Sequence, residues 1–110
     1  MRYVVWATDR EGSQPDRLRV REEHRARLRN PAPHEVTVLL AGPTLEEADL
    51  SMNGTLLVVE ATSADAVRAF IADDPYMRHG VYLSVDIRPW HCGLGPLSEH
   101  TPSPTTSTSP

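Results

Sequence analysis

Two polar residues stand where packing and electrostatics favour other side chains. His24 occupies the apolar stripe of a predicted amphipathic helix, at a position where Leu would pack better. Asp74 follows the predicted C-terminal end of another helix, where the helix dipole disfavours an acid, and Pro75 biases it towards an extended conformation. A carboxylate bound to one imidazole nitrogen leaves the other free to exchange a proton near neutral pH. The pair therefore suits general acid–base chemistry; the simpler interpretations are a core histidine bonded to a carbonyl and an exposed acid.

Three further residues are candidates for substrate binding. Arg21 lies one helical turn before that histidine and is a candidate anchor for an anionic substrate. Gly42, inside an Ala-Gly-Pro segment typical of a turn, permits close approach of a substrate to backbone amides. Tyr76 offers either a hydroxyl donor or an aromatic wall. Asp73, on the helix itself, is interpreted as a structural acid that faces solvent.

Composition excludes several kinds of chemistry. All eleven basic residues are Arg, so a lysine Schiff base is excluded. The Arg-rich predicted helix also carries acids at helical spacing, and with a net charge of −4 we interpret it as a solvated face, not a nucleic-acid surface. His91 and Cys92 have no further ligands at metal-like spacing, and no glycine-rich phosphate loop is present. The sequence therefore predicts neither a metal nor a cofactor.

The elements that must position these residues follow the order β-α-β-β-α-β. Aromatic and β-branched runs predict the strands, and helical periodicity after capping residues predicts the helices. This order is that of the ferredoxin-like α+β fold, in which both helices cover one face of a four-stranded antiparallel sheet. The predicted strands are 3–7, 36–41, 55–61 and 81–89, the helices are 17–29 and one beginning at 64, and a polar loop covers 44–54. The last strand is expected to carry Val81, Leu83, Val85 and Ile87 on one face.

The second face of this sheet is also apolar. Alternation along strand 3–7 places large side chains on both faces, and the run Leu-Leu-Val-Val at 56–59 does the same. An uncovered apolar face of this kind requires a partner, and a second copy of the same sheet matches it in shape. We therefore expect a homodimer that packs sheet to sheet.

The chain of 110 residues is expected to form one domain, residues 1–97, and a disordered Ser/Thr/Pro-rich tail, 98–110. The N-terminal stretch reaches Asp9 too soon to supply a signal-peptide core, and no apolar run has the length of a membrane span. A single cysteine cannot form an internal disulfide. We expect a cytoplasmic protein that binds a small molecule but neither membrane nor nucleic acid.

Residues 1–90 carry an ordered set of short motifs: the opening YVVWATD strand, Arg21-Glu22-Glu23-His24, Leu40-Ala41-Gly42-Pro43, Asp74-Pro75-Tyr76 and Gly80-Val81-Tyr82. This set resembles the YciI-like family. The resemblance implies a dimeric α+β-barrel fold and a site built on a His in the first helix and an Asp after the second, here His24 and Asp74. Characterised relatives include a dehydrochlorinase acting on a chlorinated muconate-type substrate, and many members have no assigned activity.

The chain departs from the family pattern in two places. The segment after the first helix, 30–33, reads Asn-Pro-Ala-Pro where the family usually carries a Gly-containing turn. The loop after Pro43 is acidic, with Glu46, Glu47 and Asp49. Because that loop is a candidate roof for the pocket, the identity of the substrate does not carry over.

The leading hypothesis is a small cofactor-free enzyme that performs proton transfer, by elimination or isomerisation, on an organic acid-like metabolite. In this hypothesis His24 is the general base or acid, Asp74 orients it and Arg21 anchors an anion. One alternative is a non-catalytic binding or accessory protein of a metabolic pathway. The other is a cofactor-independent oxygenase, which rests on fold-level analogy alone.

Overall fold

The structure, a computed structural model, describes residues 1–98. Four antiparallel strands pair in the order β2-β3-β1-β4, which confirms the predicted ferredoxin-like α+β class. No helix within 1–98 has both the length and the apolar character needed to cross a membrane. Of the predicted tail, all but Ser98 lies outside the described residues. The elements are β1 (Arg2–Asp9), α1 (Gln14–Arg29), β2 (Val36–Leu45), β3 (Met52–Ala61), α2 (Ala64–Ala72), α3 (Pro75–Arg78) and β4 (Tyr82–Trp90).

The core lies between the helices and one face of the sheet. Alternate residues of β1 and β3 point to this face, as the period of two in a strand requires. The α2 helix starts at Ser63, whose hydroxyl accepts a hydrogen bond from the Ala66 N–H at 3.1 Å, and its apolar stripe covers the centre of the sheet. The main cluster comprises Tyr3, Val5, Val36, Leu57, Val59, Ala61, Val67, Phe70 and Ile71.

The opposite side of the sheet, which we call the open sheet face, carries Val4, Trp6, Leu40, Leu56 and Val58. Trp6 pairs with Leu56, and they are 51% and 37% exposed, while Leu40 is 54% exposed. The sequence-based expectation of a second apolar face is therefore met in the described residues. The homodimer inferred from it stays a prediction.

The predicted end of the second strand is wrong. We expected Gly42 and Pro43 to form a turn, but β2 continues through both of them to Leu45. Gly42 pairs with Leu56 and Pro43 with Thr55, so pairing with β3 keeps the chain extended. Proline is tolerated because β2 is an edge strand, where a missing ladder donor can face away from the sheet. The connecting loop shortens accordingly to the residues between Leu45 and Met52.

The predicted face of the last strand is also wrong in part. Val85 and Ile87 pack on the main core, but Leu83 is 69% exposed. The register between β1 and β4 shifts at Thr8, and an irregularity of this kind redirects the neighbouring side chains. Val81 lies just before β4 and is buried against Tyr76. The predicted alternation of inward-facing residues in β4 therefore holds for Val85 and Ile87 but not for Leu83.

Candidate functional site

His24 and Asp74 meet where α1 packs against the junction of α2 and α3. His24 Nδ1 lies 2.8 Å from Asp74 Oδ2 and 2.9 Å from Oδ1, and both side chains are buried. The two residues, 50 positions apart in the sequence, are therefore in contact in the folded chain. The other ring nitrogen, Nε2, makes no hydrogen bond to a protein group within residues 1–98.

Asp74 sits at the end of one helix and at the start of another. The short helix α3 was not predicted; it begins at Pro75, and the extended Asp74 is its N-cap, accepting the Tyr76 N–H at 2.9 Å on Oδ1. An acid disfavoured after α2 is favoured before α3, because free N–H groups and the positive end of the dipole lie there. A second cation approaches the carboxylate, since Arg27 Nη1 lies 3.5 Å from Oδ2.

The Tyr76 ring fills the space between His24 and Arg17. It stacks on the imidazole with centroids 3.9 Å apart at 17°, and the Arg17 guanidinium carbon lies 4.4 Å from its centroid. His24 and Arg17 are two turns apart on α1, about 10.5 Å along the axis, which leaves room for one ring between them. Asp74 thus fixes the His24 imidazole through a hydrogen bond at the edge of the ring, while Tyr76 packs against the face of the same ring.

Arg17 and Asp9 form a buried ion pair that sequence reasoning missed. Arg17 Nε donates to Asp9 Oδ2 at 2.7 Å, and Nη2 donates to the carbonyl of Gly54 at 2.6 Å and the hydroxyl of Thr55 at 2.5 Å. The interpretation of the Arg-rich helix as a solvated face is wrong for Arg17, which is 2% exposed. A signal existed in the sequence, because residues 17, 21, 24 and 28 recur at helical spacing on one stripe.

Arg27 is a second arginine of α1 that packs against protein groups, contrary to the interpretation of this helix as a solvated face. It donates from Nη2 to the Phe70 carbonyl at 2.7 Å and stacks on the Phe70 ring at 4.3 Å. These contacts fix the guanidinium beside Asp74 and tie α1 to α2. Arg27 lies three residues after His24, so both side chains reach the same carboxylate.

A cavity of about 180 Å³ brings four of the five predicted site residues together. Asp74 is not among the lining residues and contacts the cavity through His24. No acidic side chain lines the cavity, and Arg21 forms no ion pair within residues 1–98, so its walls carry net positive charge. The arrangement favours an anionic ligand. The lining residues are Arg17, Arg21, His24, Arg25, Leu28, Ala41, Gly42, Pro43, Thr55 and Tyr76.

Gly42 contributes only backbone to this cavity. Its pairing with Leu56 directs its missing side chain towards the open sheet face, and a Cβ there would meet nothing within 4 Å. Its neighbours Ala41 and Pro43 alternate with it and face the helices.

Burial governs the ionisation of the two tyrosines near the site. Burial raises the pKa of Tyr76, and the positive charges of Arg17 and Arg21 oppose that rise. Burial also raises the pKa of Tyr82, whose ring packs edge-on against Tyr76 at 5.7 Å. Both hydroxyls are therefore protonated donors at neutral pH. The Tyr76 oxygen is buried and has no hydrogen-bond partner within residues 1–98.

A second His–Asp contact lies outside the cavity. His34 Nε2 is 2.8 Å from Oδ2 of Asp73, whose side chain is 64% exposed. Asp73 thus faces solvent as expected, although its contact with His34 was not anticipated. Within the part of the chain that the structure describes, no three His, Cys, Asp or Glu side chains are grouped to hold a metal ion.

Comparison with known proteins identifies the family. The model of the YCII-related domain matches residues 1–91. The chain belongs to this family. It is similar to Protein YciI of Escherichia coli, with 34% identity over 95 residues that cover 82% of this chain and 96% of that protein. An uncharacterized protein of Haemophilus influenzae is 32% identical over the same length, with the same coverage. These likenesses confirm the YciI-like resemblance.

Solved structures of similar proteins share the fold. The chain is similar to the 5-chloro-2-hydroxyhydroquinone dehydrochlorinase from Burkholderia phenoliruptrix in complex with 2,5-dihydroxybenzoquinone, with a TM-score of 0.72 and 30% identity. That match covers 84% of this chain and 96% of the enzyme. A protein from Agrobacterium tumefaciens matches at a TM-score of 0.52 and 16% identity, covering 88% of this chain and 99% of its own, which shows the fold alone.

Proposed function

We propose that this chain is a small cofactor-free enzyme that transfers a proton within an organic acid-like metabolite, by elimination or isomerisation. The observation that carries the proposal is the buried contact between Asp74 and His24, a residue that lines a cationic cavity. A carboxylate accepts a hydrogen bond from Nδ1–H, and this fixes the tautomer in which Nε2 carries the lone pair. His24 is then a base whose free nitrogen has no competing protein partner within the described chain.

In the proposed reaction, Nε2 of His24 takes a proton from a carbon next to a carbonyl group. For elimination, the C–H electron pair forms a C=C bond while the leaving group departs with its own bonding pair. For isomerisation, the imidazolium returns the proton to a different carbon. Asp74 stabilises the imidazolium by charge, and Arg21 holds the acid group of the substrate. Gly42 and Tyr76 bound the space in which the substrate lies.

The similarity to 5-chloro-2-hydroxyhydroquinone dehydrochlorinase supports elimination, because the name of that enzyme describes the loss of HCl. The single-ring ligand in its complex supports a substrate of that size in this chain's cavity of about 180 Å³. The net positive charge of the cavity wall supports a substrate with acidic oxygens.

The first assay measures chloride release from 5-chloro-2-hydroxyhydroquinone under argon. The second assay uses mass spectrometry to monitor the consumption of a panel of small hydroxy and keto acids. The wild type is expected to consume at least one compound. His24→Ala is expected to lose kcat on the order of 10²-fold or more, because it removes the base. His34→Ala is the matched control, since it removes the histidine that contacts Asp73 outside the cavity and is expected to retain full kcat.

Each alternative has its own outcome. If calorimetry detects binding of a panel compound that the wild type never consumes, the proposed enzymatic function is contradicted. That result would favour a binding or accessory protein. Consumption that requires air and is matched by oxygen uptake would favour the oxygenase. Equal kcat in the wild type and His24→Ala would remove His24 from the mechanism.

A further inference from the structure

The Asp9–Arg17 pair has no assigned part in the function proposed above, although Arg17 lines the cavity and lies over the Tyr76 ring. Both side chains are at most 5% exposed, and the pair links β1 to α1. A buried ion pair is weak evidence of stabilisation, because well-packed apolar residues of similar volume are often as stable or more so. Stability alone therefore does not account for the pair.

Arg17 is fixed on every side that the structure describes. Asp9, the Gly54 carbonyl and the Thr55 hydroxyl bind its Nε and Nη2 groups, and its guanidinium carbon lies 4.4 Å from the centroid of the Tyr76 ring. A cation over an aromatic face is attracted by the ring electrons and draws electron density away from the ring's hydroxyl. The opposite neighbour of the same ring is His24.

The Tyr76 hydroxyl is the group that this arrangement affects. It is buried, and no protein atom within residues 1–98 accepts its proton. Buried polar groups in native proteins are nearly always hydrogen-bonded, so this hydroxyl has an unused donor for a partner other than the described residues. The ring itself lines the cavity that also contains His24 and Arg21.

We propose that Arg17 is a positioning residue. Held by Asp9, its guanidinium keeps the Tyr76 ring against His24 and makes the Tyr76 hydroxyl a stronger hydrogen-bond donor to an oxygen of the substrate. The contact with substrate rests on the proposed function, whereas the coupling between Arg17 and Tyr76 does not.

The two members of the ion pair act on Tyr76 with opposite signs. The positive charge of Arg17 lowers the pKa of Tyr76, and the negative charge of Asp9 raises it. A purely structural pair has no such signature, because loosening the packing from either side would move the hydroxyl towards water in both cases. The groups that face Tyr76 are Arg17, Arg21 and His24 on α1, Asp74 before α3, Asp9 on β1 and Tyr82 on β4.

The experiment reads this coupling without a substrate. The full chain is produced with 3,5-difluorotyrosine at position 76, whose fluorines acidify the phenol into a pH range where the fold survives, and its pKa is measured by ¹⁹F NMR. Arg17→Met is expected to raise that pKa by about one unit, and Asp9→Asn to lower it. Arg19→Met, which removes an exposed Arg of the same helix, is the control and is expected to leave it unchanged.

The double variant Asp9→Asn/Arg17→Met guards against misfolding of Arg17→Met, which leaves a buried acid unpaired. Compared with Asp9→Asn alone, it is expected to raise the pKa of the fluorotyrosine. Shifts of the same sign from both single variants, or no shift from either, would overturn the positioning role. Failure of the substrate panel would leave this result standing, so the two proposals fail separately.

Discussion

At the scale of single residues, the Asp74 carboxylate serves two elements at once. It caps α3 through the Tyr76 N–H and holds His24 through Nδ1. Capping alone would be satisfied equally well by Asn. Holding the imidazole as a base would not, because the Asp carboxylate only accepts hydrogen bonds, whereas the Asn amide also offers a competing donor.

Asp74→Asn is therefore expected to reverse the tautomer of His24. The amide oxygen keeps the Tyr76 N–H, and its NH₂ donates to Nδ1, which moves the imidazole proton to Nε2. We expect the fold to persist and kcat to fall on the order of 10²-fold, since the base is blocked. Long-range ¹H–¹⁵N NMR of the His24 ring reports the tautomer directly.

The neighbouring acid provides the control for this change. Asp73→Asn alters an exposed carboxylate that contacts His34, and it is expected to leave the His24 spectrum unchanged. An unaltered tautomer in Asp74→Asn would show that Asp74 does not orient His24.

At the scale of elements, the site depends on how closely β3 approaches β1 and β2. A Cβ on Gly54 would overlap the Ala7 carbonyl oxygen and lie 2.5 Å from Thr44 Oγ1. The same residue offers its carbonyl to Arg17, so the approach of the strands and the anchoring of the site's ion pair share one position. Glycine is required there by space, since no side chain fits between the two neighbours.

Gly54→Ala is expected to lower the free energy of unfolding by about 1–3 kcal/mol, as overpacking of a rigid strand pair does. Gly42→Ala is the matched control in the adjacent strand, because its Cβ would meet nothing within 4 Å, and it is expected to change stability by less than about 0.5 kcal/mol. Urea denaturation measures both. Equal stability of Gly54→Ala and the wild type would contradict the packing described here.

At the scale of the whole molecule, the open sheet face leaves large apolar side chains exposed to solvent. Its exposed Trp6, Leu40 and Leu56 adjoin one another through the strand pairing. A contiguous apolar surface on a sheet is typical of an interface between subunits. We propose that a second copy of the chain covers it, sheet to sheet.

Trp6→Glu is expected to convert a dimer into a folded monomer, because it places an unpaired charge at the centre of that interface. Sedimentation equilibrium at micromolar concentration measures the change. Met77→Glu, on the exposed side of α3, is expected to remain dimeric. A wild-type chain that sediments as a stable monomer would refute the dimer.

The sequence by itself determined the order of strands and helices and the two polar anomalies of the site. Periodicity, capping residues and proline act within one or two turns, so their effects can be predicted without knowledge of the tertiary structure. His24 on an apolar stripe and Asp74 before Pro75 were visible for that reason. The signal for the start of α3 is equally local, since Pro is common in the first turn of a helix and Asp74 is a good N-cap, but the same two residues also fit the end of the preceding helix.

Only the tertiary structure decided which charges are buried and how the site is assembled. Helical spacing places Arg17 and Arg21 on one stripe, but only the tertiary contacts with Asp9, Thr55 and Tyr76 show that Arg17 is the one that forms a buried ion pair. Likewise, Gly42 and Pro43 read as a turn until pairing with β3 extends them. Each outcome depends on contacts between segments distant in sequence, because burial and strand pairing are properties of the packed sheet and helices rather than of any short stretch.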